Sequence, residues 1–143
     1  RSADKIARSL EMGAKGGFDS GTEFARDLKK TIGRGADVVI ENVGPATWAQ
    51  SVRSLDSGGR LAICGSTSGP KVEISVPYLF FKQLEIIGST MFDHAEFAQV
   101  TELIGSGAVS VVVDSVYPFE ELPEALARLD SGHQRGMVAI KHN

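Results

Sequence analysis

Three short turns in this sequence concentrate the residue types that can hold a phosphate or a sugar without repelling it. They are Asn42-Val43-Gly44, Gly65-Ser66-Thr67 and the stretch from Gly88 through Phe92. Glycine lets a ligand approach the backbone closely, and Ser, Thr and Asn offer uncharged hydrogen bonds. Each turn follows a compact apolar run, and ligands of open parallel α/β sheets sit outside the carboxyl ends of the strands. The same residue types also end strands and cap helices, so any one of these turns has a purely structural reading beside the ligand-binding one.

Other chemistry is sparse. His94, His133 and His142 are isolated in the sequence; His133 and His142 read as solvated, and His94 sits just beyond a strand end where a loop could face a cleft. Glu120, Glu121 and Glu124 open a helix, where carboxylates favour the positive end of the dipole. Cys64 is the only cysteine, so no internal disulfide forms, and no Cys/His cluster has zinc-ligand spacing. A lone strand cysteine reads first as a small buried hydrophobe, with thiol chemistry as the alternative. The dinucleotide fingerprint Gly-x-Gly-x-x-Gly is absent. Gly33-Arg34-Gly35 and Gly105-Ser106-Gly107 come nearest, but each follows a helix, lacks the third glycine and reads as a helix stop. If this is a dinucleotide-binding domain, its first strand, phosphate loop and second strand are expected upstream of Arg1, and the chain would be a fragment.

The elements that must position these turns are readable from periodicity. Ser2 caps a helix to Gly13, and Phe24, Leu28 and Ile32 mark a second helix closed by Gly33. Gly17 to Asp19 leaves room for a three-residue strand between them. From Ala36 the β-branched run into Glu41 predicts a strand covered on both faces. Pro45 opens a helix with Trp48, Val52 and Leu55 on one face, and Leu61 to Cys64 is the next strand. Val72 to Val76 alternates, a short helix starts at Pro77, and Leu84 to Gly88 returns to strand. A helix then runs from Asp93 or Ala95 to Gly105, followed by a strand over Val111–Tyr117, a helix over Leu122–Leu129 and a strand over Met137–Lys141. Strands separated by helices predict right-handed crossovers and a parallel sheet, so the fold class is α/β.

Composition narrows the partners. With 143 residues, 42% hydrophobic and 23% charged, the chain reads as a single globular domain or a piece of a larger one, and not as a disordered or coiled-coil chain. Fifteen basic against 18 acidic residues, with no basic block, give no footprint for nucleic acid or an anionic membrane. No apolar run reaches membrane-spanning length and no signal peptide opens the chain. A reducing cytoplasm is the expected location.

Six blocks in order resemble the C-terminal part of the medium-chain dehydrogenase/reductase superfamily, on its quinone oxidoreductase and zinc-type alcohol dehydrogenase branch. They are Arg1-Ser-Ala-Asp-Lys-Ile with Met12-Gly-Ala, Gly35-Ala-Asp-Val-Val-Ile-Glu-Asn-Val-Gly, Gly58-Gly-Arg-Leu-Ala-Ile-Cys-Gly-Ser-Thr-Ser-Gly, Leu84-Glu-Ile-Ile-Gly-Ser-Thr-Met, Val113-Asp-Ser-Val-Tyr-Pro-Phe with Glu124-Ala-Leu-Ala-Arg-Leu, and Gly136-Met-Val-Ala-Ile. The resemblance implies a partial Rossmann-like parallel sheet lacking its first strands and phosphate loop, over residues 1–92. Residues 93–143 would then return to a GroES-like catalytic domain. The chain is expected to be the rear portion of a longer enzyme that passes a hydride between a nicotinamide cofactor and a carbonyl, alcohol, quinone or activated alkene. The alternatives are a noncatalytic nucleotide-binding or structural protein that keeps the fold, and another nucleotide-binding α/β protein such as a methyltransferase, which the C-terminal strands disfavour.

The resemblance also implies residue roles. Ser2 and Lys5 match the pair that holds the adenosine 2′-phosphate in NADP(H)-using members, and Arg1 lies where NAD-using members have an acid nearby. NADP(H) is therefore favoured over NAD(H), although a tyrosine common near the position of Ser20 in NADP-using quinone reductases is missing. Asn42, Val43 and Gly44 match the turn beside the nicotinamide ribose. Cys64, Gly65 and Ser66 match the strand end facing the carboxamide, and Met91 and Phe92 match the next one. No catalytic residue falls on this chain, and a catalytic zinc, where a member has one, is held in the part upstream. A homodimer through Rossmann edge strands is expected, with Val72–Val76 beside Tyr78-Leu-Phe-Phe81 as its seam; the competing reading packs these aromatics against absent strands of the same chain.

Overall fold

The run Asp37-Val-Val-Ile-Glu41 folds as the sequence predicts, in a computed structural model that describes residues 2–142. It forms strand β1, Ala36–Glu41, and is followed by helix α3, Pro45–Ser54, and strand β2, Leu55–Ile63. Ahead of β1 lie helices α1, Ala3–Glu11, and α2, Phe24–Ile32; after β2 come helix α4, Val76–Lys82, and strand β3, Glu85–Gly88. The three strands form one parallel sheet in the order β1-β2-β3, with Val39 opposite Leu61 and Leu61 opposite Ile86. These elements belong to a compact unit, Arg1–Thr90; a second unit spans Met91–Asn143.

Strand geometry decides what this sheet buries, because alternate residues face opposite sides. Val39, Leu61, Ile63 and Ile86 face the helices, where Trp48, Leu55 and Leu61 form the buried core with Val52 and Leu84 against it. α3 packs on β1 and β2, α2 on α3, and α4 on β2. On the opposite face Val38 is 54% exposed and Ile40 67%, and Ile87 is exposed as well. One side of a sheet whose sequence reads as covered on both is therefore open within this unit.

Several local expectations need correction. Gly17–Asp19 forms no strand; Gly17 instead packs so tightly on Ile6 that a Cβ would lie 2.6 Å from its side chain. Val72–Ser75 alternates without pairing, and is tied down by the Trp48 indole N–H, which donates to the Glu73 carbonyl at 2.8 Å. Gly35 is more than a helix stop, because a Cβ there would come within 2.5 Å of the Asp56 backbone where β1 begins beside β2. Gly33, by contrast, is the left-handed residue that ends α2, at φ +82°.

The second unit is a small βαβ arrangement. Helix α5, His94–Gly105, begins at a full capping box: Asp93 accepts from the Glu96 N–H at 2.8 Å, and the Glu96 carboxylate accepts from the Asp93 N–H at 3.0 Å. Strands β4, Val113–Pro118, and β5, Met137–Lys141, pair in parallel, joined by a single 3-10 turn and helix α6, Leu122–Asp130. Asp114 fastens this crossover. It accepts from Arg128 Nε and Nη2, both at 2.9 Å, from the Arg135 N–H at 2.7 Å and from the Ser115 hydroxyl at 3.1 Å. The Arg128 guanidinium and the Arg135 N–H hold its carboxyl well below the usual aspartate range.

Candidate functional site

The carboxyl ends of the three strands are stitched into one surface. From the β2 side, the Cys64 N–H donates to the Glu41 carbonyl at 3.0 Å, and the Ser68 N–H to the Val43 carbonyl at 2.7 Å. The Ser68 hydroxyl donates to the same Val43 carbonyl at 2.6 Å and accepts from the Ala46 N–H at 3.0 Å. From the β3 side, the Ser89 N–H donates to the Ile63 carbonyl at 2.8 Å. Six of the residues singled out from the sequence, Asn42, Val43, Gly44, Cys64, Gly65 and Ser66, are thereby brought into one place.

The two glycines owe their identity to this seam. Gly44 has φ +90°, and a Cβ on it would meet the Ser66 hydroxyl at 3.0 Å and the Gly69 carbonyl at 3.1 Å. A Cβ on Gly65 would come within 2.9 Å of the Asn42 carbonyl. The pattern read as close approach of a ligand is in the first place close approach of two loops to each other. The tight seam leaves a shallow rim of exposed Asn42, Cys64 and Ser66. Cys64 departs from expectation, since it lies just past β2 and is exposed instead of buried, with its thiol 3.9 Å from the Glu41 carbonyl.

Beneath the seam sits a residue that the sequence reading passed over. Glu41 is 3% exposed, and its carboxylate gathers neutral donors: the Val43 N–H at 2.7 Å, the Gly44 N–H at 3.0 Å, the Thr47 hydroxyl at 2.9 Å and the Ser51 hydroxyl. Burial pushes this carboxyl up, but the bonds from Ser51, Gly44, Val43 and Thr47 outweigh it and hold the group below the ordinary glutamate range. The charge is thus kept in place by hydrogen bonding without a cation. Its effect is to fix the backbone of the Asn42–Gly44 turn from below. A signal was present: Glu41 is two residues from inward-facing Val39, and Thr47 and Ser51 lie four apart on α3, beside the Trp48–Val52 stripe.

At the front of the chain, Ser2 occupies the N-cap position of α1 with extended backbone, yet its hydroxyl makes no capping bond. That hydroxyl oxygen is shielded from solvent and has no hydrogen-bond partner. Lys5 is half-buried one turn along. Arg1 lies outside the described residues. Met91 and Phe92 fall in the second unit, where Phe92 stacks on Phe97 at 5.5 Å and, with Asp93 and His94, borders an open recess of about 380 Å³. Among the described residues no three His, Cys, Asp or Glu side chains converge as metal ligands, so no zinc site is built from them. Among the described residues no helix is long and apolar enough to cross a membrane.

Comparison with known proteins gives this surface a context. Residues 12–140 match the zinc-binding dehydrogenase family. Over 136 residues the chain is 32% identical to 2-dehydro-3-deoxy-L-galactonate 5-dehydrogenase of Pseudoalteromonas atlantica, covering 91% of this chain and 39% of that protein. Among solved structures, an NAD-dependent alcohol dehydrogenase superposes with a TM-score of 0.86 at 27% identity, covering 99% of this chain and 42% of the other. The 2-octenoyl-CoA carboxylase reductase CinF, in complex with NADP and 2-octenoyl-CoA, superposes with a TM-score of 0.75 at 33% identity, covering 96% of this chain and 29% of the other. The chain therefore spans well under half the length of the proteins it matches. A family match over nearly the whole sequence, joined to a parallel sheet with its loops stitched at the strand ends, establishes that the chain belongs to the zinc-binding dehydrogenase family, within the medium-chain dehydrogenase/reductase superfamily of oxidoreductases.

Proposed function

We propose that this chain is the greater part of the cofactor domain of a nicotinamide-dependent oxidoreductase. The observation that carries the reading is the rim over the strand-end seam, where Asn42, Val43, Gly44, Cys64, Gly65 and Ser66 meet at the place where open α/β sheets take their ligands. When bound, the cofactor supplies the hydride chemistry, exchanging with a carbonyl, alcohol, quinone or activated alkene. The chain's own part is to hold and orient. Gly44 and Gly65 present backbone without side chains, the exposed Asn42 amide offers a neutral donor and acceptor, and buried Glu41 keeps the turn from shifting.

The cofactor we favour is NADP(H). The reading rests on the orphaned Ser2 hydroxyl at the N-terminus of α1, with Lys5 one turn along as a nearby cation: a helix N-terminus favours an anion, and a buried hydroxyl without a partner is costly. Arg1 would add a second cation. The open sheet face bearing Val38 and Ile40 is the surface we expect the first strands and helices of the whole Rossmann sheet to cover, and the second unit is the segment we assign to the return toward a GroES-like domain. Any zinc of the whole enzyme would be held by residues outside this chain. Beside edge strand β3, exposed Val72, Ile74, Val76, Phe80 and Phe81 support a homodimer seam.

The test is a titration of the full-length protein with NADPH and with NADH, following cofactor fluorescence. Tighter binding of NADPH is expected. Binding of neither overturns the oxidoreductase reading in favour of a scaffold that keeps the fold, and a preference for NADH removes the role given to Ser2 and Lys5.

A further inference from the structure

Away from the strand ends, the outer faces of α2, α3 and α4 enclose an open recess of about 620 Å³. Its lining is almost entirely hydrogen-bond donors. Arg26, Lys29 and Lys30 come from α2, Arg53 and Gln50 from α3, and Tyr78 from α4; Glu23 is the single carboxylate. Glu23 is occupied by Arg26, at 3.2 Å, so that pair is neutral within itself. Among the described residues no acid pairs with Lys29, Lys30 or Arg53. Gln50 is fixed by a bond of its own: its Oε1 accepts the Ala25 N–H at 3.2 Å, which leaves the amide NH₂ as the end available to a ligand.

Helix chemistry explains part of this. Cations are favoured in the last turn of a helix, where Lys29, Lys30 and Arg53 all lie. It does not explain why the last turns of two helices converge on one recess with an amide and a phenol, in a chain whose net charge is −3. Like charges gathered without counter-charges repel, and an anion relieves that repulsion.

The recess also has a neighbour. Arg53 and Tyr78 also line a second, mostly apolar pocket of about 270 Å³, whose walls include Trp48, Val52, Leu79 and Ile86, with Glu73 as its one carboxylate among the described residues. That volume holds roughly nine water-sized groups. We infer that the two together form a binding site for an organic di- or polyphosphate, with its phosphates on Lys29, Lys30 and Arg53 and its apolar portion reaching past Arg53 and Tyr78 toward Trp48. The site is separate from the strand-end rim and does not depend on the oxidoreductase reading.

Trp48 is the only tryptophan among these 143 residues and lines the apolar pocket, so the part of the emission change that a Trp48→Phe variant loses reports on that pocket. The experiment titrates the full chain with geranyl diphosphate as probe and follows Trp48 emission, with tripolyphosphate and geraniol as comparison ligands. The expected result is a saturable change with geranyl diphosphate, competition by tripolyphosphate, and no saturable change with geraniol. Raising salt from 50 to 500 mM should weaken binding several-fold, because exposed charges are screened. The double variant Lys30→Ala/Arg53→Ala keeps good helix formers at two exposed positions and should weaken the probe at least tenfold with unchanged circular dichroism. No saturable change, equal response to geraniol, or unaltered affinity in the double variant would overturn the proposal. The two readings separate cleanly: Ser2→Ala should weaken NADPH and leave geranyl diphosphate alone, and the double variant should do the reverse.

Discussion

Two carboxylates, one in each unit, gather donors in opposite ways. Asp114 in the second unit is held by a guanidinium and by backbone, a charge-paired knot that closes the β4–α6–β5 crossover. Glu41 in the first unit is more deeply buried and has no cation; two backbone N–H groups and two hydroxyls do all the work. A charge pair closes the crossover and leaves no net charge behind. A carboxylate held only by neutral donors keeps its charge beneath the turn it organises, and that turn is the one proposed to meet the cofactor.

Removing Glu41 should have the largest effect. In Glu41→Ala the Val43 and Gly44 N–H groups and the Thr47 and Ser51 hydroxyls lose their acceptor, and a buried unsatisfied donor costs about 1–3 kcal/mol. Water entering the space recovers part of this, so urea denaturation should show a loss of about 3 kcal/mol or more in the first unit. Glu41→Gln keeps the shape and one acceptor oxygen and should lose about half as much. If Glu41→Ala costs no more than a surface substitution, the carboxylate does not organise the turn and the comparison with Asp114 fails.

Acid sharpens the same comparison. Both carboxyls titrate below their ordinary values, so each contributes stability that is complete above the unfolded value, roughly 3.9 for Asp and 4.3 for Glu, and is lost as pH falls through the lower folded value. The contributions differ in their response to salt. Arg128→Ala should make the second unit less stable at neutral pH and flatten its acid dependence, and 0.5 M salt should blunt the wild-type contribution of the partly exposed Asp114–Arg128 pair. The Glu41 contribution, made by neutral donors in a buried site, should be nearly indifferent to salt. Amide exchange measured on residues of each unit distinguishes the two.

How much of this was legible follows from what each signal depends on. β1 and α3 were readable because β-branched runs and a first-turn proline act locally, within a few residues, whereas the start of α5 stayed open between Asp93 and Ala95 until the Asp93–Glu96 capping box fixed it. The strand-end turns were readable as a set, since glycine and small polar residues after apolar runs mark places where backbone approaches something. What they approach was not readable: Gly44 and Gly65 face each other's loops, and only the register of β1 on β2 shows it. Glu41 was hidden for the same reason, because its burial depends on α3 lying over β1. Cys64 was misjudged since an apolar run was extended one residue past the point where β2 ends. Val72–Val76 carries an alternating pattern with no strand beside it to pair with, so the pattern alone misled.

The seam itself should be moderately sensitive. Gly65→Ala puts a methyl group 2.9 Å from the Asn42 carbonyl, which is backbone and cannot rotate away. A loss of about 1–3 kcal/mol is expected, the usual cost of forcing a methylene into tight packing, together with weaker cofactor binding as the two loops part. Gly33→Ala tests the opposite kind of glycine: nothing lies within 4 Å of its Cβ position, so only the backbone conformation at φ +82° resists, at a cost of about 1 kcal/mol and with cofactor binding intact.

The smallest effect on stability should come from the residue with the most specific proposed role. Replacing an N-cap serine by alanine ordinarily costs about 0.5–2 kcal/mol because a capping bond is lost. Ser2 makes no such bond, and its hydroxyl is shielded and unpartnered, so Ser2→Ala should leave the urea midpoint unchanged or raise it slightly. If the hydroxyl serves the 2′-phosphate, the same variant of the full-length protein loses a hydrogen bond to a charged group, about 1.5 kcal/mol or roughly tenfold in NADPH affinity, with NADH unaffected. A stability loss of normal capping size with both cofactors bound as before would instead return Ser2 to the ordinary role of a helix cap. Because the two outcomes move different observables in different directions, this end of α1 tests the cofactor assignment more sharply than Glu41, where fold and function fall together.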